Sequence, residues 1–322
     1  MRIVQIAPDV YPLPAGNYGG LEKIVYELTE ELVRRGHEVY IFAPEGSKTG
    51  ARLIPYKHRE AWNYNEIVNR VMEALPENTG IIHDHTHYSL IGRLKPPVPT
   101  VCTVHIPSNN NVRYPVYVSK RALELYGGNS GFYVYNGLRP EEFEFSAVKD
   151  DYLLYLGTLT SAKGAHCALD IADRMGMKLI MAGPSHVKDY FSDKIEPLIK
   201  RNTELQYTGP VAGKLKQILL KYAKCVLFPT LWEEPFGLVM IEAMACGTPV
   251  LGLAHGAVPE VLKGFPYLIC QSVDEMAVKL QEANFPEPGE LREFIIQNFT
   301  VSTMTDKYLE IYRGVMEGYG EQ

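Results

Sequence analysis

The feature that most limits the fold is a repeating alternation of short, β-branched apolar runs with amphipathic helical stretches. RIVQIA (2–7) leads to GGLEKIVYELTEELVRRGH (19–37), where Leu21, Ile24, Val25, Leu28, Leu32 and Val33 recur at helical spacing. That helix should end at Gly36, with Arg34 and Arg35 in its last turn. EVYIFAP (38–44) reads as the next strand, residues 61–75 as another helix, and GIIHDH, TVCTVH, YPVYVS and GFYVYNG as strands. Such alternation implies a parallel, doubly wound sheet with helices on both faces.

Near residue 145 the pattern restarts. DYLLYLGTL (151–159) is a strand, AHCALDIADRMG (165–176) a helix, MKLIMAG (177–183) a strand and DKIEPLIKRN a helix. ELQYTGP, CVLFPT, TPVLGL and PYLIC supply four more strands. The expected fold is α/β: one Rossmann-like unit over 1–145 and a second over 146–302, facing a central cleft. The last stretch, about 303–322, is helical in pattern and is expected to pack on the first unit. A length of 322 residues suits two domains, and 46% apolar residues suffice for real cores.

A net charge of −6 argues against a nucleic-acid partner. No apolar run is long enough to span a membrane, and the N-terminus lacks a signal-peptide layout. Five cysteines without a CxxC pair, most of them in apolar runs, suit reduced core thiols and a cytoplasmic setting.

In open α/β sheets, ligands sit beyond the C-terminal ends of the strands. After the first strand, Gly16, Gly19 and Gly20 lead into a helix. Such a loop either lets backbone amides approach a phosphate or simply makes a turn. HDHTH (83–87) follows what reads as the third strand; His and Asp are metal ligands, but no fourth ligand is evident and no metal is expected. His105 ends the next strand. In the second half, GTLTSAKG (157–164) puts Lys163 beside Gly164, where its ammonium can meet a phosphate as a point charge, although the P-loop pattern is absent.

Glu234 and Glu242 lie in LWEEPFGLVMIEAMACGTPVLG (231–252). Pro235 and Gly237 mark a helix start, with Glu234 just before it and Glu242 about two turns on. Glu234 has a plain explanation as a negative charge at a helix N-terminus. Glu242 does not, because Met240, Ile241, Ala243, Met244, Ala245 and Cys246 surround it. A carboxylate in such company needs partners, and vicinal sugar hydroxyls would serve.

EEPFGLVMIEAMACGTPV resembles the signature of the retaining glycosyltransferases of family 4, which have the GT-B fold; Glu234 and Glu242 match its E-x7-E motif. YGGLEKIVYELTEELVRRGHEV, YVYNGL (133–138), GTLTSAKG and HGAVPEVL (255–262) resemble further segments of that family. Within it, small antibiotic-pathway transferases are the nearer likeness. The resemblance implies that Glu242 holds the nucleotide ribose and that Glu234 touches the donor hexose. It implies that Gly19 and Gly20 approach the diphosphate by backbone, that Lys163 neutralises it, and that His105 stands by the transferred sugar. Thr158, Phe236, Gly237 and Leu238 belong to the same donor-binding set. It implies a metal-independent hexosyltransferase without a cofactor, whose donor is a nucleotide-diphosphate sugar. The acceptor is open: a glycan, a lipid carrier or a small molecule. The reaction would be front-face displacement, with catalysis by positioning and electrostatic stabilisation.

Thr158 stands where the family commonly has an arginine. Loss of a charge-assisted hydrogen bond costs about 1.5–3 kcal/mol, roughly 10–150-fold. Lys214 and Lys216 are candidate substitutes. The alternatives are a non-catalytic nucleotide-sugar binder and another GT-B enzyme such as a sugar-nucleotide epimerase.

Overall fold

The computed structural model describes residues 1–14, 19–57, 64–108 and 111–319. Gly16 and residues 61–63 of the expected 61–75 helix lie outside the described residues. The chain forms two compact units, Met1–Leu138 with Thr300–Gln322, and Arg139–Phe299.

The first unit holds seven strands: β1 (Arg2–Ile6), β2 (Glu38–Pro44), β3 (Arg52–Tyr56), β4 (Ile81–Asp84), β5 (Thr100–Val104), β6 (Tyr114–Tyr117) and β7 (Phe132–Tyr133). They pair in parallel in the order β3-β2-β1-β4-β5-β6-β7. The strand β3 had no sequence counterpart, because Arg52 and Pro55 break the apolar alternation. It lies at the sheet edge, where proline is tolerated. HDHTH therefore spans the end of the fourth strand, not the third, with His83 and Asp84 still inside β4. Val4, Ile6, Phe42, Ile82 and Ile91 form a core with Ile67 and Val71 of the Tyr64–Ala74 helix.

The second unit holds β8 (Leu153–Leu156), β9 (Leu179–Ala182), β10 (Leu205–Tyr207), β11 (Cys225–Phe228), β12 (Val250–Leu253) and β13 (Ile269–Cys270). Their order is β10-β9-β8-β11-β12-β13, again parallel. The four inner strands β8, β9, β11 and β12 are almost wholly buried, as expected of a sheet covered on both faces.

The units divide after Leu138, whereas the sequence suggested a boundary at 145. A residue far along the chain decides it. Arg292 donates to the carbonyls of Pro140, Phe143 and Ala245 at 2.6–2.9 Å, so the 140–143 turn is gripped by the second unit. The Val301–Tyr319 helix belongs to the first unit, where Arg35 donates to Ser302 and Asp306. All five cysteines are free and buried. Among the described residues no helix is long and apolar enough to cross a membrane.

Candidate active site

The strand order of the second unit reverses between β8 and β11, and crevices open at such a switch point. The segment after β8 carries Thr158 and Lys163, and the segment after β11 carries Trp232 and Glu234. The topology therefore joins residues 71 apart in sequence: the Lys163 ammonium donates to Glu234 Oε2. Trp232 Nε1 donates to the same oxygen at 2.9 Å, and Lys163 Nζ lies 4.6 Å from the Trp232 ring centroid. Both donors engage Oε2; among the described residues, Glu234 Oε1 has no hydrogen bond. The carboxylate thus keeps one acceptor for a hydroxyl. Tyr155 holds the other side of the crevice, donating to the carbonyl of Thr158 at 2.9 Å.

Glu234 is fixed by its backbone as well. Ala257 N–H donates to Glu234 O at 2.8 Å, and Gly256 packs flat against the same peptide. A Cβ at Gly256 would lie 2.2 Å from both Glu234 N and Glu234 O. The HGAVPEVL segment thus acts as a brace for Glu234.

The Leu238–Ala245 helix follows, capped by Gly237 at φ +84 with no side-chain cap. Glycine is needed there for the left-handed backbone, and its missing side chain leaves the first-turn amides without a side-chain acceptor. Phe236 is buried, its ring 5.9 Å from that of Phe299 in an edge-to-face contact. Leu238 begins the helix and is half-buried. Glu242 is 5% exposed, and Lys216 Nζ meets its two oxygens at 2.8 and 2.7 Å. Of the two lysines suggested as stand-ins for the missing arginine, Lys216 is therefore committed to Glu242.

In the first unit the order reverses between β1 and β4. Gly19, at φ +113, caps the Gly20–Arg34 helix without a side-chain cap. One group here was not legible in the sequence. Glu22, in the first turn, is buried near Asp9, and burial foremost pushes its carboxyl up to about 7. The His83 and His85 rings lie side by side, centroids 3.8 Å apart in a tilted contact, and both bond within the protein. His105 Nε2 meets His85 Nδ1 at 3.0 Å, and burial drives the His105 imidazole down to about 3. His87 leaves this row, lying in the turn after β4. His105, His87, Leu21, Tyr88 and Ser108 line a cavity of about 170 Å³.

Two family models match the chain. "Glycosyltransferase Family 4" covers residues 18–135, and "Glycosyl transferases group 1" covers 139–298. The chain belongs to glycosyltransferase family 4. This transferase moves a sugar from a nucleotide sugar. Escherichia coli O-antigen chain mannosyltransferase C is 22% identical over 98% of this chain and 99% of its own length. An uncharacterized glycosyltransferase of Methanocaldococcus jannaschii is 34% identical, over 40% of this chain and 38% of that protein. Among solved structures, AviGT4, a glycosyltransferase involved in avilamycin A biosynthesis, matches at a TM-score of 0.83 and 24% identity, covering 99% of this chain and 98% of its own. A Thermosynechococcus elongatus sucrose-phosphate synthase matches at 0.81 and 18%, covering 99% and 100%. An Anabaena protein solved with UDP-glucose matches at 0.75 and 16%, covering 98% and 100%. These likenesses place the two parallel sheets in the GT-B fold class.

Proposed function

We propose that the transferase moves a hexose from a nucleoside diphosphate sugar to a hydroxyl acceptor with retention of anomeric configuration. The observation that carries this is Glu234, held on one oxygen by Lys163 and Trp232, with its other oxygen left as an acceptor. In this reading Glu234 Oε1 accepts from a hexose hydroxyl. Glu242, on the adjoining helix, accepts from the ribose hydroxyls, and Lys163 neutralises the departing diphosphate. The amides about Phe236, Gly237 and Leu238 lie at a helix N-terminus and favour an anion. In the first unit, Gly19 and Gly20 offer the same to the diphosphate, and His105 serves the transferred sugar.

The chemistry is front-face displacement. The acceptor oxygen bonds to the anomeric carbon on the face from which the diphosphate leaves. The bond from that carbon to the phosphate oxygen breaks, and the acceptor proton passes to the phosphate. The protein then needs no carboxylate nucleophile; it positions both partners and offsets the charge that develops on the leaving group. The hexose is favoured by the kind of relative found over the whole chain, a mannosyltransferase.

The test is to incubate the protein with GDP-mannose or UDP-glucose and a panel of hydroxyl acceptors, reading the product by proton NMR. Retention in the new glycosidic bond supports the reading. Inversion, or consumption of neither donor, overturns it.

A further inference from the structure

One buried hydrogen-bond chain crosses the first unit from the β5 end to the C-terminal helix. It starts at His105, whose Nε2 faces His85 Nδ1 at 3.0 Å. His85 Nε2 meets Gln5 Oε1 at 2.7 Å, and Gln5 Nε2 donates to Tyr312 Oη at 3.3 Å. Tyr312 Oη lies 2.6 Å from His83 Nδ1, and His83 Nε2 lies 2.6 Å from Thr103 Oγ1. Tyr308 Oη closes the chain 3.0 Å from Thr103 Oγ1. Gln5, His83, His85 and Tyr312 are fully buried or nearly so. Buried polar groups persist at such density only when each is bonded, so the cluster specifies one arrangement.

We infer that Gln5, His83, His85 and Tyr312 are positioning residues that fix the ring and tautomer of His105. An amide oxygen only accepts, so His85 Nε2 carries a hydrogen. Burial holds both His83 and His85 neutral, their basicity pushed well below the ordinary value. Neutral His85 then has a bare Nδ1, which accepts from His105 Nε2–H. Neutral His105 in turn keeps Nδ1 bare. Beyond Gln5, the Tyr312 hydroxyl accepts from the amide nitrogen and donates to His83 Nδ1; His83 Nε2–H donates to Thr103. Tyr312, on the Val301–Tyr319 helix, thereby carries the chain from the Gln5 amide to His83. Resting on the proposed function, the consequence is that His105 offers the bound sugar an acceptor, so a ligand hydroxyl must donate to it.

The experiment reads tautomers directly. Long-range proton–nitrogen correlation spectra of the ligand-free, nitrogen-15-labelled protein at neutral pH should show His85 and His105 as Nε2–H forms. His105 as Nδ1–H or imidazolium would overturn the inference. Tyr312→Phe removes one oxygen from the chain and should leave His105 a mixture of tautomers. Gln5→Leu should do the same, and Gln5→Glu, which keeps the acceptor, should restore Nε2–H. A His105 signature unchanged in Tyr312→Phe would overturn the role given to the helix. With UDP-glucose or GDP-mannose, whichever the wild type consumes, Tyr312→Phe should lower kcat about 2–10-fold, as loss of one neutral hydrogen bond does. UDP or GDP affinity should stay within about twofold. Because the spectra need no donor, they stand or fall separately from the proposed transfer.

Discussion

Lys216 Nζ stands 2.8 Å from Oε1 and 2.7 Å from Oε2 of Glu242, so the second carboxylate of the E-x7-E motif is paired inside its own unit. Glu242 is almost fully buried, and its lysine is 30% exposed. Removing one partner of a buried pair costs about 3–5 kcal/mol, and the exposure of Lys216 brings that down to roughly 1–2 kcal/mol. Lys216→Met should lose about this much in urea unfolding. Substituting Glu242→Gln as well should recover part of the loss, since no bare carboxylate is then left behind.

Gly256 is a spacer for Glu234. Alanine there meets the Glu234 backbone at 2.2 Å and must also adopt φ +58. Gly256→Ala should therefore shift Glu234 and lower donor turnover by about tenfold or more, the usual scale of a misplaced site group. Steady-state kinetics beside a circular dichroism melt separates this from unfolding.

Thr158 leaves the segment after β8 with Lys163 as its cation, while Tyr155 pins the Thr158 carbonyl. An arginine at this point would add a charge-assisted bond to a diphosphate, worth about 1.5–3 kcal/mol. Thr158→Arg should tighten nucleoside diphosphate binding by calorimetry. Weaker binding would show that the crevice is built around threonine.

Glu22 makes stability fall with pH. Its carboxyl is raised from 4.5 to about 7 in the folded protein, burial being the main cause. The folded state thus holds a proton that the unfolded chain releases. Its contribution is fully present below about pH 4.5 and is lost as pH rises toward 7, up to roughly 3 kcal/mol. Glu22→Gln should remove this slope. Urea midpoints of both proteins at pH 5 and pH 7.5 measure it: the wild type should drop relative to the variant.

What the sequence made legible follows physical locality. The Gly20–Arg34 and Leu238–Ala245 helices were readable because their periodicity, glycine starts and stops lie within a few turns. The motif carboxylates were readable because Glu242 sat badly among apolar neighbours. Pairings that depend on topology were not readable. Lys163 reaches Glu234 only because β8 and β11 are neighbours at a switch point, and Trp232 joins it by the shape of one loop. Lys216 looked like a spare cation until helix packing placed it on Glu242. Arg292 moved a unit boundary by gripping carbonyls some 150 residues earlier in the chain. The His105 chain depends on Gln5 and Tyr312, at opposite ends of the sequence. The edge strand β3 was hidden by Pro55, which only an edge admits.

The most direct test of the central claim, that the Glu234 and Glu242 constellation is the donor site, is a thermal-shift panel with UDP, GDP, ADP and dTDP, without added metal, on the wild type and Glu242→Gln. A ligand at 100 times its dissociation constant stabilises by about 2.7 kcal/mol. One nucleotide should raise the wild-type melting temperature clearly, and the variant should lose most of that shift. No shift from any of the four on folded protein, or an equal shift in the variant, would contradict the account.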